Sequence, residues 1–419
     1  MTNSTQSARL DNINAIVDFF TSGIKSSASC LGIELEHTLV RQNGSPVSYS
    51  EEHGVAWLLG QLKDDAYPQA SYDADGDILG VAAQGQAVTI EPAAQVELSA
   101  GPFTDLADAR ACFDSFEDKL SRLLEPEGIK VLTVGYHPTA RAKDLELIPK
   151  RRYKLMNAYL GSISPFGVRM MRGSASTQIS IDYTSTQDCL RKLRLAFSLT
   201  PLLSLICDNS PVFEGKPRAH ELVRTEIWKY CDPERCGVIP GIMNPSFSLE
   251  DYASYILDTP AILVNNADGS AQGDARSFGE IYADKPMTRA EVEHACSMFF
   301  TDVRLKTYIE IRPADAMPIP YVIAYAALIK GLFYSEASLE KLEELLGGVT
   351  EEGIAQAKEA LMGRGYDATI YDRPVADLAD KIIEISTQAL DDDDARALAP
   401  LADLIAARTT LARLAEEHR

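Results

Sequence analysis

Four stretches of this chain place acidic or amide side chains on alternate residues with apolar residues between them, and this pattern restricts the fold more than any other. They are Gly32-Ile33-Glu34-Leu35-Glu36, Gln95-Val96-Glu97-Leu98, Ser176-Thr177-Gln178-Ile179-Ser180-Ile181-Asp182 and Tyr308-Ile309-Glu310-Ile311-Arg312. A period of two belongs to a strand, whose successive side chains point to opposite faces. An antiparallel sheet commonly leaves one face in water. Glu and Asp are nevertheless poor strand formers, and like charges opposite one another on paired strands repel. If these strands pair, Glu34, Glu36, Glu97 and Glu310 crowd one surface. A hard divalent cation relieves that conflict, because it takes carboxylate and phosphate oxygens together. The pattern therefore has two readings, a metal site or a solvated face.

Around these strands the apolar spacing predicts helices over 12–30, 51–62, 105–124, 149–160 and 189–207, and from 320 onward to the end. Further strands are expected at 30–40, 88–98 (broken at Pro92), 130–135, 174–183 and 305–312, with a turn region at 72–80. Residues 208–247, rich in Pro, Gly and charge, read as long ordered loops and as a lid. The acidic run 391–394 reads as a helix N-terminus. Irregular interleaving of helices and strands argues for α+β rather than a doubly wound sheet. The expected organisation is one catalytic domain over 1–419, with 320–419 as its helical C-terminal portion.

Charge narrows the function. Asp and Glu number 61 against 40 Lys and Arg, a net charge of −21. Such a chain does not seek nucleic acid or anionic lipid through bulk electrostatics, so basic residues must act locally. The apolar stretches at 199–207 and 321–334 are too short or interrupted to span a bilayer. The polar residues 1–11 do not form a secretory signal. Seven cysteines, an odd number without a CxxC pair, read as reduced thiols, and Cys231 and Cys236 are the only close pair. The expected location is cytoplasmic. Neither GxxxxGK[ST] nor a strand–GxGxxG–helix fingerprint occurs. Any nucleotide phosphate must then be held by metal and by Arg or Lys, with Lys150, Arg151, Arg152, Arg172, Arg224, Arg235, Arg304 and Arg312 as candidates. No Ser-His-Asp or Cys-His set is legible. Among six histidines only His137 lies beside other suspected site residues.

At these same segments the sequence resembles the plant and proteobacterial type of glutamate–cysteine ligase, a family related in fold to glutamine synthetase. The resemblance spans about 32–318. It rests on Gly32–Glu36, Glu91-Pro92-Ala93-Ala94-Gln95-Val96-Glu97-Leu98-Ser99, Pro149-Lys150-Arg151-Arg152-Tyr153, and Met170-Met171 through Thr177-Gln178 to Asp182. It continues through Asn209-Ser210-Pro211, Glu214-Gly215-Lys216-Pro217, Arg224 with Ile227-Trp228, Asp232 to Gly237, and Arg304-Leu305-Lys306 through Glu310 to Asp315. The resemblance implies an antiparallel sheet curved into a funnel, with helices outside and ATP and metals inside.

It also implies roles. Glu34, Glu36, Glu97 and Glu310 are the expected ligands of Mg²⁺, or of Mn²⁺ in its place. Arg152 and Arg224 are expected to hold substrate carboxylates, with Arg172, Tyr153, His137 and Gln178 also at the substrate. Arg235, Arg304 and Arg312 are expected at ATP, and Glu36, Arg312 and Lys150 in catalysis. Substrates would be glutamate, cysteine and ATP, joined through a γ-glutamyl phosphate as a first step toward glutathione or a related thiol. The chain would be a monomer or homodimer. Arg172 stands one position earlier than the family's arginine and Gly173 takes its place. Those departures, with His137, lie near the expected acceptor pocket. The alternatives are a ligase using another amine and a silent nucleotide-binding homologue.

Overall fold

Hydrogen bonding joins the acid-bearing stretches into one antiparallel sheet. The computed structural model describes residues 3–266 and 270–418, so the first two residues of the polar N-terminal stretch and the last residue of the expected domain lie outside it. The sheet has nine strands: β1 (Leu31–Arg41), β2 (Gln69–Tyr72), β3 (Ile78–Ala83), β4 (Gln86–Ile90), β5 (Val96–Phe103), β6 (Ile129–Leu132), β7 (Thr177–Ile181), β8 (Val303–Leu305) and β9 (Ile309–Ile311). Their order is β8-β9-β7-β1-β5-β4-β3-β2, with β6 paired to the far half of β1.

The register decides where the acids go. Glu36 lies directly opposite Glu97, and Glu34 lies opposite Ser99 on one side and Gln178 on the other. Glu310 faces Ser180 across one pairing and Arg304 across the other. The intervening residues Ile33, Leu35, Val96, Leu98, Ile179 and Ile309 are all buried on the opposite side. There the sheet meets the helices Thr186–Ile206 and Ile319–Phe333. The second of these is apolar almost all round, as a helix enclosed in a core must be. Among the described residues no single helix is long and apolar enough to cross a membrane.

The α+β expectation holds, and several boundaries move. The first helix spans Asn3–Thr21 rather than 12–30, because the Gly- and Ser-rich stretch that follows competes with helical hydrogen bonding. The turn expected at 72–80 is the tip of the β2–β3 hairpin, where Asp73 Oδ1 accepts from the backbone N–H groups of Asp75 and Asp77. The break at Pro92 is a tight loop between β4 and β5. Ala94 there adopts φ 66°, and the Gln95 side chain accepts from the Ala93 N–H.

Residues 208–247 are not an open lid. They hold the helix Val223–Lys229, and Cys236–Gly237 pairs in parallel with Phe300–Thr301. Ile239 and Ile242 are buried. This segment contributes Arg224 and Trp228 to the wall of the cavity described next.

Candidate active site

Above the acidic face of the sheet lies a cavity of about 280 Å³. The sheet contributes Glu34, Glu36, Glu97, Gln178, Arg304, Lys306 and Arg312. The β4–β5 loop adds Glu91, and the helix Arg151–Ile163 adds Arg152, Tyr153 and Met156. Met170 and Met171 come from the helix Pro165–Gly173, and Arg224 and Trp228 from Val223–Lys229. A second cavity of about 740 Å³ adjoins the first, sharing Glu34. It is lined largely by small residues, among them Gly32, Ala82, Ala83, Gly85, Ala87 and Ala100, with Lys25 and Tyr308. That volume lies within the usual range for a small-molecule pocket.

The carboxylates fall into two electrostatic groups. Glu310 is fully buried. Burial pushes its carboxyl up, but Arg304 at 2.7 Å, Lys306 at 2.5 Å and Arg312 at 3.1 Å outweigh that and hold it well below its ordinary range. Three cations already meet its charge. Glu34, Glu36, Glu91 and Glu97 have no such partners: among the described residues none of them forms a direct ion pair.

Burial first, then Glu97 and Glu310, raises Glu34 to about 8. Burial, then Glu91 and Glu97, raises Glu36 to about 8. Burial and Glu91 raise Glu97 to about 7. Glu91 is raised chiefly by burial as well. Hydrogen bonds fix two of these groups. Glu36 accepts from the Ser176 hydroxyl at 2.7 Å, and Glu97 accepts from Thr89 at 3.0 Å and Ser99 at 3.1 Å.

Facing the acids are two guanidinium groups with spare donors. Arg224 is buried, and its Nη1 donates to the Ala314 carbonyl at 2.8 Å and approaches Asp315 at 3.4 Å. Arg152 donates through Nη2 to Ser297 Oγ at 3.1 Å. The Nε atoms of both are buried without a hydrogen-bond partner. Buried donors left unpaired are costly, and an anionic substrate group would satisfy them.

The acids offer oxygen donors of the kind that Mg²⁺ or Mn²⁺ takes. Among the described residues no three His, Cys, Asp or Glu side chains are gathered closely enough to enclose an ion alone. Phosphate oxygens would have to complete the shell, the usual arrangement for Mg²⁺ bound with a nucleotide. Metal binding requires carboxylates in their charged form. Joint binding of Mg²⁺ and nucleotide at pH 7 is therefore expected to release about one to two protons, falling toward zero above about pH 9. Calorimetry in buffers of different ionisation heat measures this. Zero release at pH 7 would remove these carboxylates from the metal set.

Three expected site residues do not line this cavity. Arg235 is fully buried away from the cavity. Its Nε donates to Asp232 at 2.6 Å, its Nη2 to the Tyr159 hydroxyl at 3.0 Å and its Nη1 to the Met298 carbonyl at 3.3 Å. It is a structural cation, and Arg235→Ala should cost roughly 3–5 kcal/mol by stranding Asp232, read as a lowered denaturation midpoint. His137 and Arg172 border a narrow crevice that meets the cavity at Gln95. Nδ1 of His137 accepts from the Ala140 N–H at 3.1 Å, and burial lowers the ring to about 4. Arg172 donates to Asn157 and to the Leu145 carbonyl, both at 2.9 Å. Gly173 lies between Met171 and Ser174, both of which line the acidic cavity. Lys150 stays beside the cavity: its ammonium lies 4.8 Å from the centre of the Tyr153 ring, and its charge acts on Glu91 and Glu97.

Sequence reasoning gave no role to Glu91, Lys306, Trp228 or the larger cavity. Lys306 had a signal, since it alternates with Arg304 on one strand face.

Comparison with known proteins gives the family and the fold. The family described as glutamate-cysteine ligase family 2 matches residues 30–415. Glutamate–cysteine ligase B of Oryza sativa subsp. japonica, named chloroplastic, is 30% identical over 324 residues, covering 76% of this chain and 65% of that protein. The chloroplastic glutamate–cysteine ligase of Medicago truncatula is 28% identical over 363 residues, covering 82% of this chain and 72% of the relative. The chain thus spans about two thirds of the rice protein's length. Among solved structures, the glutamate–cysteine ligase of Francisella tularensis in complex with AMP has a TM-score of 0.58 at 13% identity. The match covers 94% of this chain and 85% of that one, and it establishes the fold as that of the glutamine-synthetase-like ligases. The cytoplasmic location expected from the sequence is overturned, because these plant relatives are chloroplastic.

Proposed function

The chain belongs to glutamate-cysteine ligase family 2, and from that premise we propose that it joins the γ-carboxylate of glutamate to the amine of cysteine at the expense of ATP. The observation that carries this is the opposition, across one small cavity, of uncompensated buried acids and buried arginines with free Nε atoms. The first set suits a nucleotide carried with Mg²⁺; the second suits a substrate carboxylate. One catalytic unit would contain both.

ATP would place its base and ribose in the larger cavity and its phosphates at the Glu34 boundary. Arg224 and Arg152 would hold the α-carboxylate of glutamate, since a guanidinium fork binds carboxylates bidentately. The γ-carboxylate oxygen then attacks the γ-phosphorus, forming an acyl phosphate and releasing ADP. Arg312, Arg304 and Lys306 are positioned to spread the charge of the transferring group. Mg²⁺ held by Glu34, Glu36 and Glu97 with the phosphates would supply further charge neutralisation. The amine attacks the acyl carbon and phosphate leaves. The amine's proton passes to a carboxylate of the cavity, and burial-raised acids such as Glu91 are suited to accept it.

The acceptor would meet Met156, Met170, Met171, Trp228 and Phe300. Thioethers and aromatic rings favour a small soft side chain such as a thiol over a charged one. The test is mass spectrometry after incubation with ATP, Mg²⁺, glutamate and cysteine, beside a panel of other amines. γ-Glutamylcysteine is the expected product. Amide formation with another amine and none with cysteine would reassign the acceptor, and no ATP consumption with any amine would leave a silent homologue.

A further inference from the structure

The C-terminal helix Leu411–Glu417 carries no chemistry of its own, yet it is fastened to both supports of Arg224. The first support is the chain leading into Arg224. Arg413 donates to Glu221 at 2.9 Å, and Glu221 also accepts from Arg218 at 2.8 Å. Arg218, almost wholly enclosed, pairs in turn with Asp208 and with Glu416 at 2.8 Å. Leu222, between Glu221 and the helix that bears Arg224, is held at φ 57°, a conformation that needs its flanks fixed. The second support is Asp315. It approaches Arg224 and accepts from the Asn209 N–H at 2.8 Å and the Ser210 hydroxyl at 2.6 Å. The preceding residue, Asp208, gives its carbonyl to the Ala412 N–H at 3.1 Å.

The fold also makes room for this fastening. A Cβ at Gly365, where φ is +51°, would come within 2.6 Å of the Arg413 guanidinium.

We infer that this helix is a strap that seats Arg224 in the substrate cavity, and that Arg413 is a positioning residue for glutamate binding. The inference rests on the reading of Arg224 as the arginine that holds the substrate carboxylate. The Arg413 guanidinium pairs with Glu221 and lies against the turn at Gly365, and it does not line the cavity. Its removal should therefore loosen how Arg224 is held without altering the groups at the reacting atoms.

Arg413→Ala is expected to raise the KM for glutamate about fivefold, with kcat within about twofold and the KM for ATP unchanged. Arg413→Lys should recover most of the loss. The chain has two tryptophans, Trp57 and Trp228. In a Trp57→Phe background, Trp228 alone reports on the helix that bears Arg224. Its emission should shift to the red in Arg413→Ala while far-ultraviolet circular dichroism stays unchanged. An unchanged glutamate KM with unshifted emission would overturn the strap. So would a fall in kcat that tracks the loss of folded protein at constant KM. The emission shift supports the strap even if the wild-type chain shows no glutamate-dependent ATP turnover, a result that would instead sink the ligase reading.

Discussion

Glu36→Gln is expected to lower glutamate-dependent ATP turnover about 10²–10³-fold, the scale for loss of a preorganised charge at a reacting group, while the fold survives. The reason is in the register. Glu36 stands directly opposite Glu97, and burial with two neighbouring acids raises it to about 8. Glutamine keeps an oxygen to accept from Ser176 but cannot carry the charge that a divalent cation needs. The same substitution should leave the ligand-free protein as stable as wild type or more so. In the wild-type fold Glu36 retains a proton that the unfolded chain loses above about pH 4.5. Native binding of more protons makes stability fall as pH rises from about 4.5 to about 8. Glu36→Gln removes that component, so its denaturation midpoint should decline less steeply over the same window. Turnover near wild type would remove Glu36 from the metal set, and a collapsed fold would show its role to be structural.

Arg224→Ala should raise the KM for glutamate about 10- to 100-fold, corresponding to charge-assisted hydrogen bonds worth roughly 1.5–3 kcal/mol. The KM for ATP should hold. Arg224 has a free buried Nε but also contacts Asp315 and two backbone carbonyls. Arg224→Lys distinguishes the two contributions, since it retains charge near Asp315 and loses the fork. A KM between those of wild type and Arg224→Ala is expected. Equal glutamate KM values in all three would take Arg224 out of the substrate site.

The sheet was legible because strand periodicity is local: Glu34, Glu36 and Glu97 announce their face two residues at a time. Pairing then needed only that the opposite faces be apolar. Arginines were harder to sort. Arg224 and Arg235 are both buried cations in one polar stretch, and only tertiary packing separates them. Arg235 is satisfied by Asp232, three residues before it, a spacing that marks a surface turn equally well. Glu91 opens one of the matching stretches but received no role, because it sits in a loop where no alternation assigns it a face. The larger cavity is bounded by glycine and alanine, whose contribution is the space they leave. The C-terminal strap has no motif because salt bridges between distant segments leave no periodic trace.

Glu34 borders both cavities, and this gives the two ligands a shared electrostatic switch. At pH 7 burial keeps a proton on that carboxylate, and replacing the proton with a divalent cation from the nucleotide side leaves a net positive charge that favours an anion arriving on the other. Thermodynamic reciprocity then requires the second ligand to tighten the first by the same factor. Glutamate and metal-borne ATP should therefore bind synergistically, and a substitution that neutralises Glu34 should uncouple them.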